Sequence, residues 1–306
     1  MRVLVTGGAG FIGSHVVELL AERGDEVHVL DNLSNGKRQN LAPAAVLHEG
    51  DLTDAEFVRY VFEQARPEVV YHLAAQVSVI ESLRDPFDDM RRNIGGSLNL
   101  ILAARASGQP KIVYCSTGGA AYGDPDLSQL PVPETHPANP LSPYGITKHT
   151  VEHYLEAEAV NHGQRYTVLR FSNVYGPRQD PHGEAGVVAI FTQRIFEQKT
   201  CTVFGDGEQT RDFVYVGDVA RAVLAATDRA DGEIINIGTG LETTVNDVVE
   251  ALEAAWGGPF EVAHAPARTG EVRRIALAVD KARELLDWQP AVSFRDGIRL
   301  TLESYR

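Results

Sequence analysis

Tyr144 and Lys148, in the run Tyr-Gly-Ile-Thr-Lys, are the residues of this chain best spaced for proton chemistry. On a helix, residues four apart share a face, which sets a phenol beside an ammonium. The cation favours the phenolate, so Lys148 is expected to lower the tyrosine pKa. A phenol tuned in this way takes or gives a proton near neutral pH. The same pair also occurs on ordinary exposed helices. What separates the two readings is context: a strand that ends upstream in Ser116-Thr117, and a nucleotide-binding turn at the start of the chain.

That turn is Thr6-Gly7-Gly8-Ala9-Gly10-Phe11-Ile12-Gly13. A short apolar run precedes it, and Val16, Val17, Leu19 and Leu20 follow at helical spacing, which reads as strand, glycine turn and helix. Gly7 lets the chain leave the strand tightly, Gly10 lets a pyrophosphate approach the backbone, and Gly13 lets the helix pack on the strand. The free N–H groups at the helix start then face the phosphates. A second apolar run ends in Asp31, where an acid can bind the hydroxyls of an adenosine ribose.

The elements that must position these residues alternate. Strands are expected at 26–30, 46–49, 69–73, 111–116 and 166–171, with helices at 55–64 (capped by Thr53 or Asp54), about 88–107, and from 144 past 154. Such alternation predicts an α/β fold: a Rossmann-type, doubly wound parallel sheet with its ligand at the carboxyl ends of the strands. Those ends carry Gly7, Asp31, Asp51, Ala74, Ser116-Thr117 and Ser172-Asn173, which are expected to face one crevice. Beyond Phe171 the pattern weakens. A helix at 186–198, a strand at 234–237 returning to the sheet and an amphipathic helix at 244–256 suggest a smaller, interleaved C-terminal domain over the crevice. The expected division is 1–175 with 211–240 for the nucleotide, and 176–210 with 241–306 for the substrate.

The chain has 306 residues, ordinary apolar and charged content, and a net charge of −14, which argues against binding nucleic acid or an anionic membrane. Cys115 and Cys201 form no metal-ligand pattern and suit a reducing compartment. With no signal-peptide or membrane-span pattern, the expectation is a soluble cytoplasmic protein. His149 and His153 have zinc-ligand spacing but no third ligand, and read as a helix surface pair. Asp88-Asp89 reads as helix-start charge.

Together with Asp51-Leu52, His72-Leu73-Ala74-Ala75, Asn93, the stretch 170–177, Arg211-Asp212-Phe213 and the stretch 268–271, these motifs make the chain resemble the extended short-chain dehydrogenase/reductase family over nearly its whole length. Within it the resemblance is to enzymes that epimerise UDP-glucose and UDP-galactose at C4 through a 4-keto intermediate. It implies NAD as cofactor. Gly7, Gly10, Phe11, Ile12 and Gly13 would lie at the pyrophosphate, Asp31 and Asn32 at the adenosine ribose, and Asp51 and Leu52 at the adenine. Leu73, Ala74 and Ala75 would line the cofactor channel, with Lys148 at the nicotinamide ribose and Tyr144 as acid/base. Asp31 disfavours a 2′-phosphate, while Lys37 and Arg38 leave an opening for NADP. For the UDP-sugar the resemblance implies Asn173, Val188, Phe204, Arg211, Arg268 and Glu271, and it also implies a homodimer.

The chain departs from this pattern at three places. Gly118 stands where a Ser or Thr usually bonds the sugar hydroxyl, so either Thr117 supplies it or Tyr144 works without it. Val77 replaces a frequent lysine. Ile275 stands at the position that gates sugar size, which leaves room for UDP-N-acetylhexosamines. Gly118-Gly119 lacks the Asp-Glu pair of the related dehydratases. A uronate epimerase or decarboxylase, and a non-catalytic NAD-binding protein, stand as alternatives.

Overall fold

Val3, Leu4 and Val5 are wholly buried, because the strand they form is covered on both faces. In the computed structural model, which describes residues 1–182, 186–267 and 272–306, β1 (Arg2–Thr6) lies within a seven-stranded sheet. Its companions are β2 (Glu26–Asp31), β3 (Val46–Glu49), β4 (Val69–His72), β5 (Lys111–Thr117), β6 (Tyr166–Phe171) and the returning strand Glu233–Ile237. The spatial order is Glu233–Ile237, β6, β5, β4, β1, β2, β3, and every neighbouring pair is parallel. The order reverses between β1 and β4, where Val3 pairs with Val27 on one side and Val69 on the other. An open crevice forms at such a reversal.

Alternate residues of each strand point to opposite faces. Val3, Val5, Val29 and Tyr71 pack with α1 (Phe11–Glu22) and the helix Val216–Ala225, while Leu4, Leu30, Val70 and Tyr114 pack with α2 (Ala55–Ala65) and the helices Gly96–Ala106 and Pro143–His162. Asp54, and not Thr53, caps α2, accepting from the N–H groups of Glu56 and Phe57. A third apolar cluster unites the helices Val187–Phe196, Val245–Trp256 and Phe294–Glu303 with the parallel pair Cys201–Phe204 and Val262–Ala265.

Two expectations need correction. The single helix expected at 88–107 is a short helix Pro86–Met90, a π-turn at Arg91–Gly95 and the helix Gly96–Ala106, preceded by a further short helix Val79–Arg84. The smaller part also holds pairs of very short strands, Asn173–Tyr175 with Phe213–Tyr215 and Thr210–Arg211 with Thr243–Thr244. Elements of two or three residues contain too few positions for alternation to register.

Buried Asp212 ties these pieces together. Its carboxylate accepts from the Thr239 N–H (2.8 Å) and hydroxyl (2.6 Å), the Gly240 N–H (3.1 Å) and the Leu277 N–H (3.2 Å). Burial raises its pKa, and these four bonds oppose the rise.

The glycine turn is a steric necessity. A Cβ on Gly13 would lie 2.1 Å from the Gly7 carbonyl oxygen, and one on Gly7, whose φ is +69°, would lie 2.8 Å from the Ala74 backbone. Gly13→Ala should therefore cost roughly 1–3 kcal/mol as the backbone yields. Urea denaturation would check this, and an unchanged midpoint would refute the close packing.

Candidate active site

Between the carboxyl ends of β1, β2, β4 and β5 lies a cleft of about 920 Å³, ample for a dinucleotide-sized ligand. All fourteen positions assigned above to the cofactor line it, from Gly7 at the turn to Lys148 on the tyrosine helix.

Local chemistry explains how each group is held. The helix α1 begins after Gly10 with no side-chain cap and no acid in its first turn, so its leading N–H groups are left for an anion. Asp31 closes the far side of the turn, its carboxylate accepting from the N–H groups of Ala9 (2.9 Å) and Leu33 (2.8 Å). Asn32 donates to Asp51 (2.7 Å), which also accepts from the Thr53 hydroxyl. These bonds hold the Asp51 carboxyl below its usual range despite partial burial. The uncapped helix start and the fixed carboxylate of Asp31 fit the pyrophosphate and the adenosine ribose of NAD. Arg38 is engaged in an ion pair with Glu49, which narrows the opening left for a 2′-phosphate. Val77 lines the cleft where a lysine is frequent; Arg84, Arg92 and Arg178 also line it, paired with Glu81, Asp88 and Glu18.

Tyr144 and Lys148 occupy the first turns of the helix Pro143–His162, which is capped by Ser142 and opened by Pro143. The resting electrostatics differ from the expectation. Burial, reinforced by the negative charge of Asp89, pushes the Tyr144 phenol up to about 12; the Thr117 hydroxyl, hydrogen-bonded to it, pulls the other way. Lys148 does not offset this burial. Its ammonium sits 4.3 Å from the centre of the Tyr114 ring, and desolvation lowers its own pKa to about 8. Burial therefore favours the neutral phenol of Tyr144 and loosens the proton of Lys148.

Thr117 caps the short helix Gly118–Ala121, accepting from the Ala120 N–H (3.2 Å), and reaches the Tyr144 phenol. The space beside Gly118 is taken by the Leu277 side chain, whose tip would have to shift for a Cβ there, at 2.5 Å. Of the two alternatives at this point, the geometry favours Thr117.

The sugar-side positions are arranged less tightly. Asn173 starts a short strand, its N–H donating to the Asp212 carbonyl (2.9 Å). Phe204 ends the strand Cys201–Phe204, and Arg211 donates to the Thr210 carbonyl (2.8 Å). Val188 is wholly buried in the third cluster. None of these four lines the cleft. Arg268 and Glu271 lie outside the described residues. Ile275 is 3% exposed, packed with Tyr122, Val132 and Leu277.

Several participants escaped the sequence. Arg178 and Gln179 line the cleft from the loop after Gly176-Pro177, a stretch whose only sequence signal was its loop-forming residues. Asp88 does pair with Arg91 and Arg92 as helix-start charge, but Asp89 is buried and accepts from Thr147 (2.7 Å), Gln76 (2.8 Å) and Asn93 (3.1 Å). The histidine pair is real, with the two Nε2 atoms 3.2 Å apart, while His149 Nδ1 also meets buried Glu152 (3.0 Å). Among the described residues, no group of three or more His, Cys, Asp or Glu could hold a metal ion.

Comparison with known proteins agrees with this architecture. The model of the NAD dependent epimerase/dehydratase family matches residues 3–238. A UDP-glucose 4-epimerase of Mycolicibacterium smegmatis is 43% identical over 312 residues, covering 100% of this chain and 99% of its own length. The crystal structure of the Thermotoga maritima UDP-glucose 4-epimerase with UDP-glucose superposes with a TM-score of 0.97 at 50% identity, covering 100% of this chain and 99% of that one. The Thermus thermophilus UDP-glucose 4-epimerase in complex with NAD gives a TM-score of 0.95 at 47% identity, with the same coverage. A match that spans the whole sheet and its crevice, together with relatives that cover the chain from end to end, places this protein in the NAD dependent epimerase/dehydratase family.

Proposed function

We propose that the protein interconverts UDP-glucose and UDP-galactose by epimerisation at C4 through a 4-keto sugar. The observation that carries this reading is the buried Tyr144 phenol, hydrogen-bonded to Thr117 on the wall of the cleft that the glycine turn opens. The likeness to relatives named UDP-glucose 4-epimerase, one of them solved with UDP-glucose, supports it. NAD, when bound, supplies a hydride acceptor that becomes the donor on return.

The chain's own groups do the rest. Tyr144 takes the proton of the sugar 4-hydroxyl and later gives it back. A phenol held near 12 by burial is a weak base precursor, and the positive nicotinamide ring is the charge that would bring it into range. Lys148 holds the nicotinamide ribose, and Thr117 orients the phenol. Asn173, Val188, Phe204, Arg211, Arg268 and Glu271 hold the UDP part, with the arginines on the diphosphate. In this scheme residues 1–175 and 211–240 carry the cofactor, and 176–210 with 241–306 carry the nucleotide sugar. Ile275 in place of a larger gate extends the range to UDP-N-acetylhexosamines. Two free, buried cysteines suit a reducing cytoplasm, and no helix among the described residues is long and apolar enough to cross a membrane.

We also propose a homodimer. Leu83, Phe87 and Met90 on the two short helices before the π-turn, and Ile146 on the tyrosine helix, are exposed by 63%, 78%, 46% and 50%. These helices pack against one another and so present one apolar face. Phe87→Glu should convert a dimer into a monomer in sedimentation equilibrium. A wild-type protein that sediments as a monomer at micromolar concentration would reject the proposal.

Incubation with UDP-galactose, first without added NAD, should yield UDP-glucose. Tyr144→Phe should lower kcat by roughly 10²–10⁴-fold and leave bound NAD unchanged, and Thr117→Val should lower it by about ten- to a hundredfold. Turnover unaffected by Tyr144→Phe would reject the mechanism. Electrostatics offer a separate check. Folding depresses the Lys148 pKa from 10.5 to about 8, so over that window the unfolded chain binds the extra proton and stability rises with pH. Below about pH 8 the charged, buried lysine costs on the order of 3 kcal/mol. Lys148→Met should therefore be the more stable protein at pH 7, with the gap closing toward pH 10.5. Denaturant midpoints across that range test this, and a constant gap would contradict it.

A further inference from the structure

His72, at the end of β4, is wholly buried and its ring is bonded at both nitrogens. Nδ1 lies 2.7 Å from the Thr6 hydroxyl and Nε2 2.8 Å from the Ser97 hydroxyl. The protons along this line can be assigned from the partners alone. Ser97 donates its hydroxyl hydrogen to the Asn93 carbonyl one helical turn back, so it accepts from His72. His72 therefore carries its hydrogen on Nε2, and Nδ1 accepts from the Thr6 hydroxyl. The Thr6 oxygen in turn accepts from the Ala74 N–H (3.2 Å). One unbroken, directional line thus runs from Ala74, through Thr6, His72 and Ser97, to Asn93.

Each end of the line belongs to a different part of the site. Thr6 and Ala74 are the strand end and the wall between which the glycine turn is wedged. Asn93 sits in the π-turn, a distortion that often marks functional positions. Its side chain donates to Thr147 (3.2 Å) and Asp89 (3.1 Å), and Thr147 lies between Tyr144 and Lys148 on their helix. The His72 ring also packs on Tyr114, with centroids 5.4 Å apart, and the Lys148 ammonium lies over the same Tyr114 ring. Protonating His72 would break the line and set a second cation near Lys148; burial and that lysine hold its pKa down, to about 3.

We infer that His72 is a two-armed positioning residue, whose Thr6 arm sets the cofactor wall and whose Ser97 arm sets the height of the tyrosine helix. The inference rests on the proposed epimerase reading for its kinetic arm alone. The two arms can be cut separately. An asparagine at 72 carries its amide where Nδ1 was and can still accept from Thr6, but it cannot reach Ser97. A glutamine carries its amide where Nε2 was and can still donate to Ser97, but it loses Thr6. Ser97→Ala removes the Ser97 arm without altering the histidine.

Three measurements on the purified holoenzyme decide the matter: NAD content, kcat with UDP-galactose, and amide hydrogen exchange of residues 145–150. His72→Asn and Ser97→Ala should keep NAD but lose about tenfold in kcat, with faster exchange at 145–150. His72→Gln should keep most of kcat per bound NAD but lose NAD on dilution, with exchange at 145–150 unchanged. All variants losing both properties in step with thermal stability would reduce His72 to a core residue and overturn the inference. So would a Ser97→Ala protein whose kcat and exchange match the wild type. If the wild type turns over no UDP-hexose, the activity reading fails, while NAD retention and hydrogen exchange still decide the roles of the two arms.

Discussion

The structure depends on a close approach of bare backbone where the sheet reverses its winding. Gly7 leaves β1 against the backbone of Ala74, and Gly13 brings α1 down on the carbonyl of Gly7, at distances that no Cβ tolerates. This contact fixes where the uncapped start of α1 points and how far it stands from the ends of β2 and β4. What the turn offers an anion follows from that placement: the N–H groups and partial positive charge of the helix start, while the Asp31 carboxylate is set to accept from hydroxyls. A side chain at any of these crossings would widen the turn and aim the helix elsewhere.

Burial sets the second constraint. Tyr144 and Lys148 lie in a water-poor wall where neither charged form is favoured, so the tyrosine rises and the lysine falls. Adjacency on one helix face does not suffice to ionise the phenol, because the same burial that brings the two together penalises the phenolate. Burial thus favours the neutral phenol, and a positive charge brought close to it would favour the phenolate.

Much of this was legible in the sequence because the signals were local. The glycine spacing, the acid at Asp31 and the four-residue step from Tyr144 to Lys148 each follow from the geometry of a single turn or helix, and all line the one cleft. The parallel order of the sheet followed from alternating strands and helices. What was missed depends on contacts distant in sequence or on phase. Asp89 differs from Asp88 only in the direction its side chain faces, which the phase of the short helix Pro86–Met90 decides. The resting pKa of Tyr144 depends on burial, which a four-residue spacing does not encode. The short strands are too brief to carry a period, and the bonds of Asp212 to Thr239, Gly240 and Leu277 join segments distant in sequence.

Gly118 shows how such distant contacts shape the chemistry. In the sequence it looks like a lost hydroxyl, a defect beside the tyrosine. In the fold its missing side chain is replaced by Leu277, delivered by a segment that is fixed at two places: the Leu277 N–H donates to Asp212, and Val132 pairs with the carbonyl of Ala276 and the N–H of Ala278. With that space filled, the hydroxyl that meets Tyr144 must come from one residue earlier, and Thr117 provides it from a cap position whose geometry the following turn holds. The same segment carries Ile275 into the small cluster around Tyr122. The strap thus fills the space beside Gly118 and sets the apolar packing around Tyr122, whereas Thr117 is held by the sheet, where it ends β5 in register with Phe171. A substitution that moves Leu277 should therefore disturb that packing first and reach the phenol only through the space beside Gly118.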